Sequence, residues 1–248
     1  MNAHSVSIPA FHGSDARAHA ELNTDPIAPI MPRKLPLHME TNRRSASVAV
    51  VCGACGGIGQ ATATRLRERG YRLALVDTRS ADLETLRDSL GGGSAEVIAL
   101  PCSITDSRQV EDAFSRIDQH FGRIDAVINA AGVFSYTPVE RLTDAEWQRT
   151  VSVNLTGTFF ICRAAVPLLR REHSGHIINV LSIAAVNAFA NQAAYCASKA
   201  GALALTRVLA QELRPLGIRV SSVSPGAVDT PLWDAVEAPF DRAAILRP

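Results

Sequence analysis

Lysine is nearly absent from this chain. Of its 25 basic residues only Lys34 and Lys199 are lysines, and the other 23 are arginines. A lysine within the folded part is therefore a candidate for chemistry that arginine cannot perform. An ammonium is compact and its pKa can be shifted by its surroundings, whereas a guanidinium stays charged.

The chain also lacks excess charge and long apolar runs. Its net charge is +1, which gives no electrostatic reason to bind nucleic acid or an anionic membrane. No run approaches the roughly 18 apolar residues of a membrane helix, and the first residues lack the apolar core of a secretory signal. The five cysteines are odd in number and irregular in spacing, which favours a reducing compartment. We expect a cytoplasmic protein with no nucleic-acid or membrane partner.

Residues 1–45 differ in composition from the rest. They hold four of the seven histidines and five of the thirteen prolines, and they show no helical or strand period. We predict a disordered extension there, followed by a single catalytic domain over 46–248. The histidines have no ligand spacing, and the pair Cys52 and Cys55 lacks a second pair, so no metal site is expected.

From residue 46 onward, short apolar runs alternate with amphipathic stretches. The runs are apolar on both faces, as buried parallel strands are. Strict alternation predicts an α/β fold with a doubly wound parallel sheet and helices on both faces. The predicted strands are 47–52, 72–77, 96–102, 125–129, 176–182 and 218–223, and the main predicted helices are 57–69, 80–90, 106–121, 143–171 and 194–213. Thr143 and Glu146 have the spacing of a capping box.

A glycine cluster joins the first strand to the first helix. Glycines allow a tight turn and a close approach of backbone N–H groups to a pyrophosphate, and the helix N-terminus adds partial positive charge. Such a cluster also occurs in ordinary turns, so its position between strand and helix carries the prediction. The predicted contacts are Gly53, Cys55, Gly57, Ile58 and Gly59.

Asp77 ends the second predicted strand, 24 residues after Gly53. A carboxylate there can accept hydrogen bonds from both adenosine ribose hydroxyls and repels a 2′-phosphate, which predicts NAD as the cofactor. Arg79 lies two residues on and could soften the exclusion of NADP, which stays an alternative. A helix cap or a solvated turn residue is the competing interpretation of Asp77.

Tyr195 and Lys199 are four residues apart on a predicted helix, so they share one face. An ordinary tyrosine, with a pKa of about 10, is a poor base at neutral pH. A neighbouring ammonium favours the phenolate and should lower that pKa, which would let Tyr195 exchange protons with an alcohol or carbonyl. A half-buried tyrosine beside a surface lysine is the plainer interpretation of the pair alone.

Taken in order, these motifs resemble the short-chain dehydrogenase/reductase family over about residues 46–236, including its 3-oxoacyl carrier-protein reductase-like members. The sequence carries the glycine cluster, Asp77, and then Asn129, Ala130, Ala131, Gly132, Asn154, Ser182, Tyr195, Lys199, Pro225 and Gly226. The resemblance implies a Rossmann-like fold. Two positions depart from the family pattern: Cys52 replaces a threonine, and Ser103, followed by Ile104, replaces an aspartate beside the adenine.

The resemblance also implies a role for each residue. Tyr195 would be the general acid/base, Lys199 would bind the nicotinamide ribose and tune Tyr195, and Ser182 would orient the carbonyl. Asn154 would hold a water in the proton relay, and Asn129 would brace the central strand. The Ala130–Gly132 turn would pass under the cofactor, while Val228 and Thr230 would hold its carboxamide.

The function expected is NAD(P)-dependent interconversion of a secondary alcohol and a ketone. A catalytically inactive dinucleotide-binding or interaction protein is the alternative, and a methyltransferase is disfavoured because its chemistry needs no Tyr–Lys pair. The expected pocket segments are 133–138, 183–192 and 232–233, whose aromatic residues Phe134, Tyr136, Phe189 and Trp233 suit a neutral or partly apolar carbonyl compound. A 3-oxoacyl thioester is one candidate by resemblance.

Only 22 residues follow the Pro225–Gly226 turn, fewer than the about 30 that a further helix and strand need. We therefore expect six strands in the order 3-2-1-4-5-6, without the final strand of related proteins. A truncated or frame-shifted reading frame is the favoured cause, and a natural short form is the alternative. The sixth strand would be an apolar edge exposing Val220 and Val223, and 232–248 a poorly anchored lid. A homodimer through helices 143–171 and 194–213 is expected.

Overall fold

Six short strands alternate with helices along the chain. The computed structural model describes residues 46–91 and 95–235, so the predicted extension 1–45 and the chain after 235 lie outside the described residues. The strands are β1 (Val48–Cys52), β2 (Arg72–Asp77), β3 (Val97–Pro101), β4 (Ala126–Asn129), β5 (Gly175–Val180) and β6 (Ile218–Val223). The helices are α1 (Gly57–Glu68), α2 (Ser80–Ser89), α3 (Ser107–Phe121), α4 (Asp144–Val151), α5 (Thr158–Arg171) and α6 (Ala193–Leu213).

The strands form one parallel sheet in the order β3-β2-β1-β4-β5-β6, which confirms the predicted topology. β1 lies at the centre, where Val50 is in register with Ala74 of β2 and with Val127 of β4. The chain leaves β1 towards β2 and later returns to β4 on the other side. Ligands of such sheets bind in the crevice at the carboxyl ends of the strands around this reversal.

Apolar side chains of β1 enter two separate cores. Successive side chains of a strand point to opposite faces. Val48 and Val50 pack on the side of α3, α5 and α6, while Ala49 and Val51 pack on the side of α1 and α2. This two-sided burial explains the continuous apolar run that predicted a parallel strand.

The helix predicted over 143–171 is interrupted. α4 ends at Val151, a π-helical turn spans Ser152–Gly157, and α5 begins at Thr158. A π-helical turn inserts an extra residue into the helix and often marks a functional position. The interruption places Asn154 within the irregular turn.

The exposed edge at β6 differs in part from the expectation. Within the described residues β6 pairs only with β5, and Val223 is 53% exposed, as predicted. Val220, however, is buried in the core on the α6 side. The reason is that an edge strand exposes its backbone edge, while a side chain pointing to a covered face is still buried. Of the predicted lid, only 232–235 is described, and Pro231–Ala235 forms a short 3₁₀ turn.

One helical stretch is long and apolar enough, by length and composition alone, to cross a membrane. It spans Asp144–Arg171, with a mean hydropathy of 1.3 in its most apolar window. Helices in the core of a globular domain pass the same test, and the α4 and α5 parts of this stretch pack against α6 and α3 respectively. The stretch is therefore weak evidence for a membrane span.

We predict that Gly157→Ala destabilises the domain. A Cβ at this position would lie 2.7 Å from Ile104 Cδ1 and 3.1 Å from the Ile104 carbonyl oxygen. Because the backbone oxygen cannot easily move, the free energy of unfolding should fall by about 1–3 kcal/mol, as in other overpacked cores. Chemical denaturation measures this change.

Gly201→Ala is the matched control, because Gly201 is also helical and the three atoms nearest to a Cβ there all belong to the movable side chain of Leu155, the closest at 2.9 Å. We expect a smaller loss for this variant. A loss at Gly201 equal to or greater than that at Gly157 would contradict the packing argument.

Candidate active site

Only glycine fits at two positions in the loop after β1 and the first turn of α1. Gly53 has a φ of 74°, and a Cβ on it would lie 2.5 Å from the Ala131 backbone nitrogen. A Cβ on Gly59 would lie 2.0 Å from the Gly53 carbonyl oxygen. The loop is thus packed tightly against the Ala130–Gly132 turn, which follows β4.

The N-terminus of α1 opens from this loop without a side-chain cap. Its N-cap residue is Gly56, and the first turn contains no acidic residue. A bare helix N-terminus attracts an anion through its N–H groups and partial positive charge. The loop therefore fits the pyrophosphate of a dinucleotide. Cys55 and Ile58 belong to this loop and to the first turn of α1, as expected from the sequence.

Asp77 is buried behind the loop. Its Oδ2 accepts a hydrogen bond from the Cys55 N–H at 3.0 Å, and its Oδ1 accepts one from the Arg79 N–H at 3.1 Å. The Arg79 guanidinium lies 3.5 Å from Asp77 Oδ1 and 3.3 Å from Asp82 Oδ2. Asp77 thus makes the backbone contacts of a turn residue, as in the competing interpretation, although its side chain is buried. Its contact with a ribose stays a prediction.

Asn154 joins the turn after β4 to the helix that carries Tyr195. Its Oδ1 accepts from the Val133 N–H, and its Nδ2 donates to the Val133 carbonyl, both at 2.9 Å. Nδ2 also donates to Ser198 Oγ at 3.0 Å, and that hydroxyl donates to the Tyr195 carbonyl at 2.8 Å. Asn154 is 1% exposed, so this amide is a buried and well-satisfied bridge.

Asn129 braces β4 from its carboxyl end. Its Nδ2 donates to Thr158 Oγ1 at 2.9 Å, and Thr158 Oγ1 donates to the Asn154 carbonyl at 2.8 Å. Asn129 Oδ1 is buried and has no hydrogen-bond partner in the described structure. Buried polar atoms usually have a hydrogen-bond partner. This oxygen has none among the described residues, so it is able to accept a hydrogen bond.

Lys199 is 5% exposed. Its Nζ donates to the Val180 carbonyl at 3.1 Å and lies 5.8 Å from the centre of the Tyr195 ring. Burial lowers the pKa of this ammonium to about 8, because an apolar environment disfavours the charged form. Gly132 leaves room beside it: a Cβ there would be 3.4 Å from Nζ.

Tyr195 is also buried, and its pKa is shifted in the direction opposite to the one expected from Lys199. Burial raises the pKa of the phenol, and a hydrogen bond with the Ser182 side chain offsets part of that increase. The expectation of a lowered pKa was therefore wrong, because desolvation is the largest influence on the phenol. Ser182 lies just beyond β5, where its Oγ also accepts from the Ala184 N–H at 3.1 Å.

The segment after β6 lies against both the loop and the pocket. Thr230 packs on Gly57, where a Cβ would come within 2.6 Å of its methyl group. The Pro225 carbonyl accepts from the Ile183 N–H at 3.0 Å, and the Val228 carbonyl accepts from Trp233 Nε1 at 2.8 Å. Around Gly226 there is open space. This arrangement brings the predicted carboxamide-binding residues close to the phosphate loop.

Other predicted residues have mixed positions. Ser103 Oγ lies 2.8 Å from Thr105 Oγ1, and the Ile104 side chain is buried in the core on the α3 side. Phe189 is 39% exposed. Within the described ranges no group of three or more His, Cys, Asp or Glu side chains is arranged to hold a metal ion.

Sequence reasoning missed two residues that organise the site and misassigned the contacts of a third. Ser198 and Thr158 link Asn154 to the elements around it, and both follow a named residue by a helical spacing of three or four that could have indicated them. Glu146 does not complete the predicted capping box. Only its N–H bonds to Thr143 Oγ1, and its carboxylate instead accepts hydrogen bonds from the hydroxyls of Ser135 and Thr137.

Comparison with known proteins agrees with this geometry. A family model described as short chain dehydrogenase matches residues 47–239. D-threitol dehydrogenase of Mycolicibacterium smegmatis is 38% identical over 196 residues, which cover 77% of this chain and 75% of that protein. Levodione reductase of Leifsonia aquatica is 35% identical over 195 residues, covering 77% and 73%. The crystal structure of NAD⁺-bound xylitol dehydrogenase has a TM-score of 0.70 at 35% identity, covering 73% and 70%. The chain therefore belongs to the short-chain dehydrogenase family and is an oxidoreductase that interconverts alcohols and ketones.

Proposed function

We propose that this protein interconverts a secondary alcohol and a ketone with NAD, and that Tyr195 is its general acid/base. The observation that carries the proposal is that Tyr195 and Lys199 lie buried side by side on α6, with Ser182 just beyond the carboxyl end of β5. A phenol near a serine hydroxyl, with an ammonium beside its ring, is suited to exchanging a proton with a substrate oxygen. D-threitol dehydrogenase and levodione reductase are named for different kinds of substrate, a polyol and levodione, so these relatives do not decide the substrate class of this protein.

The described residues fit a dinucleotide. When bound, the nicotinamide cofactor accepts or supplies the hydride. The bare N-terminus of α1 would hold the pyrophosphate, and Asp77 would accept from the adenosine ribose hydroxyls. Lys199 would donate to the nicotinamide ribose, and Val228 and Thr230 would hold the carboxamide. Ser103 would lie beside the adenine, the 130–132 turn would pass under the cofactor, and Asn129 would brace the strand that precedes this turn.

Each catalytic side chain has one task in this proposal. Ser182 would donate a hydrogen bond to the substrate oxygen and fix its position beside Tyr195. Tyr195 would take the hydroxyl proton during oxidation and return it during reduction. Lys199 would favour the phenolate of Tyr195. Asn154 would hold its own π-helical turn in alignment with α6, through Ser198, and would hold a water in the proton path.

The burial of Lys199 argues against the alternative that this protein is catalytically inactive and only binds a dinucleotide or a partner. Burial lowers the pKa of this side chain to about 8, which means that its charge is disfavoured in the fold. A protein that only binds a partner protein has no use for such a residue beside a buried tyrosine. The family assignment supports the same conclusion.

We expect this enzyme to form a homodimer and to work in the cytoplasm. Trp147 of α4, Phe159 of α5 and Val208 of α6 are exposed apolar side chains on the helices proposed for the contact. Large exposed apolar side chains on neighbouring helices favour association. All five cysteines are free, which suits a reducing compartment.

Tyr195→Phe should abolish turnover and leave cofactor binding nearly unchanged. The phenylalanine ring can pack against Phe134 as the tyrosine ring does, but it has no proton to exchange. Loss of general acid/base catalysis costs about 10²–10⁴-fold in kcat. Steady-state kinetics and NADH titration measure the two quantities, and activity within about tenfold of wild type would refute the mechanism.

The two reaction directions should respond to pH in opposite ways. Oxidation needs the phenolate of Tyr195, and burial raises the pKa of that group, so kcat/KM for an alcohol should increase as the pH rises above neutrality. Reduction needs the phenol, which persists at neutral pH, so kcat/KM for a ketone should stay flat there and fall in alkaline solution. Alcohol oxidation that slows with rising pH would contradict Tyr195 as the base.

Asp77 should make NAD the preferred cofactor by at least about tenfold in kcat/KM, the ratio that 1.4 kcal/mol produces. Asp77→Asn removes the charge that repels a 2′-phosphate and keeps one of the two oxygens that accept from the Cys55 and Arg79 N–H groups. The ratio of kcat/KM for NAD to kcat/KM for NADP should therefore be smaller in this variant than in the wild type.

Asp82→Asn is the matched control, since it removes a carboxylate that pairs with the same Arg79 but lies in α2. Its effect on the cofactor ratio should be smaller. Equal kcat/KM values for NAD and NADP in the wild type would show that Arg79 overrides Asp77.

A further inference from the structure

We propose that Glu146 is a positioning residue for the reaction. It holds the segment 133–137, and this segment in turn keeps the Phe134 ring in place against the ring of Tyr195. The inference rests on the proposed function, because Glu146 acts on the reaction through Tyr195. This role differs from the one that its capping-box spacing predicts, since its carboxylate leaves the end of α4 and contacts the segment.

Two hydroxyl groups of the segment bond to one carboxylate oxygen. Ser135 Oγ and Thr137 Oγ1 each donate to Glu146 Oε1 at 2.7 Å. Hydrogen bonds from a hydroxyl to a carboxylate are stronger than those between neutral groups. Ser135 is only 2% exposed, so removal of Glu146 would leave its hydroxyl buried without that acceptor. One side chain thus ties the segment to α4 at two places.

The side chains next to these hydroxyls lie on the other side of the segment. Phe134 belongs to the buried cluster that contains Tyr195, and Tyr136 packs against that cluster. The contacts therefore alternate between α4 and Tyr195 along the segment, as successive side chains of an extended chain do. Because Glu146 fixes the two hydroxyl-bearing residues towards α4, it also fixes the two rings towards Tyr195.

Phe134 connects the segment to the proposed acid/base. Its ring meets the Tyr195 ring edge to face, with centres 5.0 Å apart and an interplanar angle of 84°, an arrangement that aromatic pairs prefer. Phe134 is 5% exposed and Tyr195 is 7% exposed. In such a close-packed contact a shift of one ring displaces the other. The position of the Tyr195 hydroxyl therefore depends on the position of Phe134.

The segment is also held at its first residue. Asn154 bonds to the N–H and to the carbonyl of Val133, and it lies eight residues after Glu146 in the chain. Eight helical residues rise about 12 Å, and four extended residues, from 133 to 137, span about 13 Å. The helical stretch thus runs beside the segment in the opposite direction and holds it at both ends, with Phe134 between the attachment points.

The test compares Glu146→Ala with Glu146→Gln. Alanine removes the acceptor of both hydroxyls, whereas glutamine keeps one amide oxygen for them. The backbone of the segment stays attached in both variants. Asn154 holds its first residue, and the Asn191 carbonyl accepts from the Thr137 N–H at 2.6 Å. Both variants should therefore fold, which thermal unfolding checks.

Kinetics with NAD and 2-propanol, cyclohexanol or xylitol measure the effect on the reaction. For an alcohol that the wild type oxidises, kcat/KM should fall by about tenfold in Glu146→Ala, because a small displacement of a catalytic group is costly. KM for NAD should change by less than about twofold, since the uniform binding of the cofactor is unaffected. Glu146→Gln should recover most of the loss. Wild-type activity in Glu146→Ala, or no recovery in Glu146→Gln, would overturn the role of Glu146.

Asp144→Ala is the matched control. Asp144 lies in the same first turn of α4 and is exposed, so this variant removes a neighbouring carboxylate that does not bond to the segment. Its kcat/KM should equal that of the wild type. A loss in Asp144→Ala as large as the loss in Glu146→Ala would show a general effect on α4 and would overturn the proposal.

A spectrum of Tyr195 decides the inference without turnover. The chain has three tyrosines, so 3-fluorotyrosine labels three sites, and the signal that disappears in Tyr195→Phe belongs to Tyr195. In Glu146→Ala this fluorine signal should move towards its position in the unfolded protein. In Glu146→Gln and in Asp144→Ala it should stay at the wild-type position.

The spectrum and the kinetics fail separately. If the wild type oxidises none of the three alcohols, the proposed function fails, and the fluorine signal still decides whether Glu146 positions Tyr195. A Tyr195 signal that does not move in Glu146→Ala would overturn the inference whatever the kinetics show.

Discussion

The side chain of Asn154 is the contact on which the site depends. One amide holds the backbone of Val133 by both its N–H and its carbonyl, and the same amide reaches Ser198 on α6. The turn under the proposed cofactor and the helix that carries Tyr195 and Lys199 are therefore aligned by a single buried group. The π-helical turn is the local irregularity that gives Asn154 this position.

Burial sets the electrostatics of Tyr195 and Lys199. Both side chains lie in a dry region, where the charged form of each is disfavoured: the phenol holds its proton more firmly and the ammonium holds its proton less firmly. The two shifts bring their pKa values further apart than in water. Burial thus keeps Tyr195 protonated at neutral pH.

The sequence was sufficient for the topology, and it failed where tertiary contacts decide. β2 has the predicted bounds, 72–77, because its apolar run is buried on both faces. The π-helical turn was missed because 143–171 has a continuous helical pattern that does not show one inserted residue. Spacing predicted that Tyr195 and Lys199 are neighbours, but spacing contains no information on burial, and so the direction of the Tyr195 pKa shift was wrong. Likewise, Glu146 bonds to hydroxyls from the segment after β4, and these contacts cannot be inferred from its local motif.

The transfer of a labelled hydride tests the central claim most directly. A secondary alcohol that carries deuterium on its carbinol carbon is incubated with the protein and NAD, and the reduced cofactor is examined by mass spectrometry. If Tyr195 and Ser182 present the substrate carbon to the cofactor, the deuterium must appear in NADH, with one atom gained for each ketone formed. NADH without deuterium, or ketone formed without NADH, would contradict direct hydride transfer at this site.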